Sequence, residues 1–379
     1  MKKFRLTACI AAVLILVGCG KDASAPEAAK TAAAPAPEDK VLNIYNWSDY
    51  IAEDTIANFE AETGIKVTYD VFDSNEVLEA KLMAGGTGYD IVVPSLSFLA
   101  RQIKAGVFQP LDKSKLTNYA NLDPDLMARI ALSDPDNAHS IPYLWGTTGI
   151  GYNVAKVKAA LGEDAPVNSW DMVFKPENIA KLKDCGVVML DTPQEIIPSV
   201  LNYLGEDPNS FDEEVIRKAE AVLTAIKPSV RYFHSSQYIN DLANGDICVA
   251  IGWSGDVFQA ADRAVEAENG QEIAFSIPQE GAAMWFDMLA MPKDAKHPNN
   301  AYLFLDYLLK PEVSAAISSY VAYASGNKAA LPLVEPEVLE NPGVYPNDAT
   351  RAKLFTFAVL PPEVDRLYTR IWTTLKTGQ

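Results

Sequence analysis

Three short stretches place an aromatic ring two or three residues from a carboxylate: Trp47/Asp49, Trp253/Asp256 and Trp285/Asp287. A ring face attracts an ammonium group by about 0.5–2 kcal/mol, more when water is excluded. A buried carboxylate without a partner is costly, so acids held against rings call for a cation. Several spaced acids suit a ligand with several spaced ammonium groups. Two further polar or aromatic positions join them, Glu195 after Met189-Leu-Asp-Thr-Pro193, and Tyr323 in Tyr320-Val-Ala-Tyr323. Taken singly, Glu195 reads as a negative charge complementing a helix N-terminus, Trp285 as core and Tyr323 as packing.

Catalytic alternatives fail at the motifs. Gly252-Trp-Ser254-Gly-Asp256 lacks the second glycine that a nucleophile elbow requires. The glycines of Gly146-Thr-Thr-Gly-Ile-Gly151 do not follow dinucleotide spacing. His139, His234 and His297 show no metal-ligand spacing, and two mature cysteines are too few for a structural zinc site. No catalytic residue, metal or cofactor is expected.

The elements that position these residues alternate strand with helix. Val41–Tyr45 predicts a first strand, and Tyr45-Asn-Trp-Ser-Asp-Tyr50 a loop at its carboxyl end. A helix over 51–63 follows, closed by Gly64. Lys66–Phe72 alternates as a strand. Asp73-Ser-Asn75 supplies cap residues for a helix through Met83, and Tyr89–Pro94 is a buried parallel-type strand followed by Ser95 and another helix. Residues 141–152 form an extended, Gly-rich passage that crosses to a second region. There, strands at 186–190, 230–233, 247–251 and 273–277 alternate with helices at 194–204, 213–226, 237–243 and 257–268. A strand over 284–291 returns to the first region, and helices at 299–309, 311–319, 351–357 and 363–374 complete the chain. Such alternation implies an α/β fold with parallel sheets, whose ligands bind outside the carboxyl ends of the strands.

The chain has 379 residues and a formal net charge of −18. With no basic patch, nucleic acid is not an expected partner. Lys2, Lys3 and Arg5 precede a short apolar run that ends in Leu16-Val-Gly-Cys19, a pattern resembling a bacterial lipoprotein signal with Cys19 as the lipidated residue. Residues 1–19 are therefore expected to be the signal, and 20–40, rich in Ala and Pro, a flexible tether. Removing the three positive side chains takes the mature chain to about −21. Cys185 and Cys248 sit at the edges of predicted strands, and outside the cytoplasm a lone cysteine pair usually forms a disulfide.

The residues named so far resemble the periplasmic polyamine-binding proteins of ABC transporters, especially the putrescine-binding type. The resemblance runs from Leu42 to Thr377 and is dense in Tyr45–Ile51, Tyr69–Leu78, Val107–Lys115, Thr147–Asn153 and Arg231–Trp253. It implies a type II periplasmic binding fold, two α/β lobes joined by a hinge with the ligand cleft between them. The expected lobes are 41–145 with 275–321, and 146–274 with 322–379. It also implies an aromatic box of Trp47, Tyr50, Trp253, Trp285 and Tyr323. The implied ammonium-binding acids are Asp49, Glu195, Asp256 and Asp287, with Ser48, Ser95 and Ser235 as polar contacts and Cys185–Cys248 as the disulfide.

For Glu195 the resemblance reverses the helix-end reading. Trp285 stands where putrescine-type members usually carry Phe and is shared with spermidine-type members, whereas Ser48-Asp49, Ser97 and Phe98 follow the putrescine pattern. Thr192 and Phe357 also depart from it. The implied function is capture of putrescine or spermidine by a monomeric periplasmic protein, held to the membrane only by its lipid, for delivery to an ABC permease. The other reading is a polyamine sensor docking a membrane signalling partner, which would use the same closing motion.

Overall fold

The computed structural model describes residues 38–378; the expected signal, Cys19 and residues 20–37 of the expected tether lie outside them. Residues 38–40 belong to the folded body and not to a tether. The Glu38 carboxylate accepts the backbone N–H groups of Asn299 and Asn300 at 3.0 and 3.1 Å, at the start of the helix Pro298–Leu308. A negative charge is favoured at that end of a helix.

Among the described residues, ten strands form one continuous arrangement: β1 (Val41–Trp47), β2 (Lys66–Phe72), β3 (Ile91–Val92), β4 (Ser140–Asn153), β5 (Val187–Met189), β6 (Val230–Phe233), β7 (Val249–Trp253), β8 (Ile273–Ser276), β9 (Met284–Ala290) and β10 (Ala324–Ser325). β2, β1 and β3 are parallel, and β9 joins β3 antiparallel. On the other side, β7, β5 and β6 are parallel. The 14-residue β4 links the two halves, with its first part pairing β9 and β10 and its second part β7 and β8.

The buried side chains fall into two large clusters, which follow this division. One is built from Leu42, Ile44, Ile91, Leu99, Leu289 and their neighbours. The other is built from Trp170, Val188, Ile197, Ile251, Tyr368 and theirs. Ile277 and Ala282, placed by the expected boundaries in lobe 1, pack with the second cluster, and Tyr323 packs with the first.

Local sequence explains most element ends. The helix after β1, α1, spans Thr55–Thr63 and stops at Gly64, whose φ of 69° is left-handed and whose N–H bonds to Glu60. It starts later than expected, because Ala52 accepts the N–H of Thr55 in a turn. Ser74 caps α2 (Asn75–Ala84) by accepting from the Val77 N–H, and α3 spans Leu96–Lys104.

The expected helix over 351–357 does not form; a single turn, Asp348–Arg351, takes its place. Phe355 is instead drawn into the passage between the lobes. Its N–H donates to Ala282 O at 3.1 Å and its carbonyl accepts from Met284 at 2.8 Å, while Thr148 donates to Ala283 O at 3.0 Å. Three chain crossings thus lie side by side as a hydrogen-bonded hinge. The Cys185–Cys248 disulfide is present, with an S–S distance of 2.01 Å.

Candidate ligand-binding site

A cavity of about 400 Å³ lies between the two clusters, at the carboxyl ends of the strands. Its walls include Trp47, Tyr50, Trp253, Trp285 and Tyr323, together with Ser48, Ser95, Glu195, Asp256 and Asp287. Ten of the twelve residues expected to touch a ligand therefore meet in one place.

The rings hold one another at steep angles. Trp47 and Trp253 meet edge to face at 5.4 Å across the lobes, Trp253 and Trp285 at 6.4 Å, Trp285 and Tyr323 at 5.3 Å, and Tyr50 and Tyr323 at 5.2 Å. Trp47 ends β1, where its indole N–H donates to Val93 O at 2.9 Å. Glycines make the close packing possible. A Cβ on Gly146 would lie 2.8 Å from the Trp285 ring, and one on Gly255 would lie 2.5 Å from Tyr323.

Each acid is buried, and each is oriented by hydroxyl or indole donors. Asp287, two residues from Trp285 on β9, accepts from Ser95 at 2.6 Å and Tyr50 at 2.9 Å. Asp256, in the first turn of the helix Ser254–Glu266, accepts from Tyr323 at 2.7 Å and Tyr238 at 2.8 Å. Glu195, in the first turn of the helix Pro193–Tyr203, accepts from Thr148 at 2.6 Å and from the Trp253 indole at 3.0 Å. Its carboxylate faces the cavity while also standing at a helix N-terminus, so the two readings of Glu195 describe one placement.

None of these acids has a cationic side chain bonded to it. Burial pushes all three carboxyls up to about 7, and their hydrogen bonds only partly offset it; neighbouring acids raise Glu195 and Asp287 further, while Asp256 is raised by Asp49 and lowered by Arg263. This cluster of acids is therefore short of positive charge. The hydroxyl and indole donors satisfy some of the carboxylate lone pairs without supplying any.

Two expected contacts lie elsewhere. Asp49 does not line the cavity. Its φ of 54° turns the loop so that Ser48 and Tyr50 face inward, while its carboxylate meets Arg263 of the other lobe at 2.6 Å. Aspartate is one of the few non-glycine residues that adopts this backbone readily. Ser235 is buried beneath the site, where its Oγ accepts the N–H of Asp191 just before the Pro193 helix.

Conversely, Asp73 lines the cavity, though its sequence context marks it only as a cap residue. The Asp73-Ser-Asn75 stretch has the same position after β2 as the Trp47 loop has after β1, and that placement is the legible signal. Asn75 in turn exchanges two hydrogen bonds with Ser95, at 2.9 and 3.0 Å. Tyr238 and Thr148, which orient Asp256 and Glu195, carry no sequence signal that separates them from core residues. The histidines serve turns and caps: His139 pairs with Asp134, His297 with Asp90, and His234 accepts backbone N–H groups.

With this geometry in hand, comparison with known proteins is informative. Residues 54–346 match the family model described as bacterial extracellular solute-binding protein. The chain is 64% identical to the putrescine-binding periplasmic protein PotF of Escherichia coli, covering 91% of this chain and 93% of that protein. It is 57% identical to the putrescine-binding periplasmic protein SpuD of Pseudomonas aeruginosa, covering 91% and 94%. Among solved structures, a putative spermidine/putrescine ABC transporter protein from Listeria monocytogenes superimposes with a TM-score of 0.79 at 34% identity, covering 90% of this chain and all of that one. A cleft between two α/β lobes, walled by rings and buried acids, and a family match over most of the folded body lead to one conclusion: the chain belongs to the bacterial extracellular solute-binding proteins.

Proposed function

We propose that this protein captures putrescine or spermidine between its lobes in the periplasm and delivers it to an ABC importer. One observation carries the reading: Asp256, Asp287 and Glu195 are buried within a ring-walled cavity and have no cationic partner. A linear amine with an ammonium at each end supplies the missing charge at both acid positions and presents its methylene chain to the rings. Asp256 and Asp287 would hold one ammonium inside the Trp253 and Trp285 walls, and Glu195 a more distant nitrogen. The printed names of the relatives, putrescine-binding and spermidine/putrescine, support the same ligand class.

A thermal-shift screen of the purified protein against amines, diols and amino acids tests this. Putrescine and spermidine should raise the melting temperature and uncharged diols should not; stabilisation by the diols as well would remove charge pairing as the basis of recognition. We assign Cys19 as a lipid anchor on its Leu-Val-Gly-Cys context. Cys19→Ala should release the protein from membranes, and a variant that stays bound would remove that assignment.

A further inference from the structure

Glu195 is presented by a turn that its own residues do little to hold. Thr192, which opens the Pro193 helix, makes no side-chain cap bond there, and Pro193 follows with no N–H to offer. The turn is held instead at Asp191, whose polar groups meet segments far away in sequence. The Ser235 hydroxyl, in the loop after β6, accepts its N–H at 3.1 Å. From the helix Pro362–Thr377, the Trp372 indole donates to its Oδ1 at 2.7 Å and the Lys376 ammonium pairs with its Oδ2. Asp191, Trp372 and Lys376 do not line the ligand cavity.

The helix Pro362–Thr377 is seated on the second cluster. Val364, Leu367, Ile371 and Leu375 recur at three- and four-residue spacing and bury one face there. Trp372 also packs steeply against Phe233 at 5.0 Å. Asp365, two turns before Trp372 and so on the same side of the helix, accepts the side-chain amide of Gln194 at 3.0 Å. The helix thus grips the turn at both ends, through Asp191 and through Gln194, and the next residue is Glu195. An ion pair exposed over about a third of each side chain, as Asp191–Lys376 is, adds little stability by itself. What it fixes is geometry. Glu195 has to meet Thr148 at 2.6 Å and the Trp253 indole at 3.0 Å, and a binding constellation must be held to within about 0.5 Å.

We propose that Asp191 is a positioning residue for Glu195: clamped by Trp372 and Lys376, it fixes the turn that aims the Glu195 carboxylate into the cavity. The helix Pro362–Thr377 thereby sets the affinity of the site without touching the ligand.

The effect on affinity rests on the polyamine reading, and a readout without ligand separates the two. The Trp253 indole N–H donates to Glu195, whereas that of Trp47 donates to Val93 O in the first lobe. Nitrogen–proton NMR spectra of the full protein, with the two indoles assigned by Trp→Phe variants, read both bonds. Asp191→Asn keeps the shape and the acceptor for Trp372 but removes the charge facing Lys376. It should move the Trp253 resonance and leave that of Trp47 in place. Calorimetric titration with putrescine should show at least about a fivefold loss of affinity in Asp191→Asn, and a similar loss in Lys376→Met. In a Glu195→Gln background, Asp191→Asn should change the affinity by less than about twofold, because the carboxylate it positions is gone. A stationary Trp253 resonance, an unchanged putrescine affinity, or a loss as large in the Glu195→Gln background would overturn the proposal. If the Trp253 resonance moves but the unsubstituted protein binds no putrescine, the placement of Glu195 stands and the polyamine reading falls.

Discussion

Recognition begins with carboxylates that are costly to keep empty. Asp256 has two tyrosyl donors but no cation, so removing its charge should cost the ligand far more than it costs the fold. Asp256→Asn should lose more than about tenfold in putrescine affinity, consistent with roughly 2–5 kcal/mol for a desolvated charge pair, without lowering ligand-free stability at pH 7. An unchanged dissociation constant would make the acid structural. Trp285 lines the same cavity. Trp285→Phe should weaken spermidine relative to putrescine by about 1 kcal/mol, as expected for one cation–π face, and equal losses in a calorimetric comparison would make the ring a general wall. These two pairs were legible because i and i+2 of a strand share a face, and because a helix opening directly after a strand points its first turn at the cleft. Asp49 was not legible in the same way. Its ring-adjacent spacing is real, but one left-handed residue turns its carboxylate to Arg263. Nor does spacing reveal Tyr238 or Thr148, whose roles come from contacts formed between distant segments.

Strands and helices whose own residues specify them were predicted closely: Lys66–Phe72, Val230–Phe233 and Glu213–Ile226 have the expected bounds. The segment 351–357 does not form the expected helix, because its apolar residues serve a crossing and not a helical face. Phe355 makes its backbone hydrogen bonds with Ala282 and Met284, partners that no local pattern contains. The disulfide is also an element-scale device. Cys185 and Cys248 stand before β5 and β7, at the opposite strand ends from Trp253. Replacing both cysteines with alanine should therefore lower stability, by up to about 4 kcal/mol in the chain-entropy model, and leave polyamine affinity unchanged. A changed dissociation constant would show that this edge of the lobe is coupled to the cleft.

At the scale of the molecule, the two lobes meet through Trp47 and Trp253 inside and through Asp49–Arg263 and Arg101–Asp365 at the margins. Asp256, Asp287 and Glu195 are buried together between them. Their carboxyls, pushed up to about 7 by burial, bind more protons folded than unfolded between about pH 4 and 7. The stability they contribute is complete below the lower of those values and is lost as pH rises through the upper one. A bound polyammonium reverses this by favouring the ionised acids, so the melting-temperature increase produced by putrescine should grow between pH 5.5 and 7.5. A flat or falling profile would contradict the linkage. The central claim is that charge, matched by buried acids and covered by rings, selects the ligand. Calorimetric titration of the purified protein with putrescine and with its uncharged counterpart 1,4-butanediol tests this most directly: saturable one-to-one binding of the diamine with none of the diol is the predicted result, and equal binding of the two, or no binding of the diamine, would contradict it.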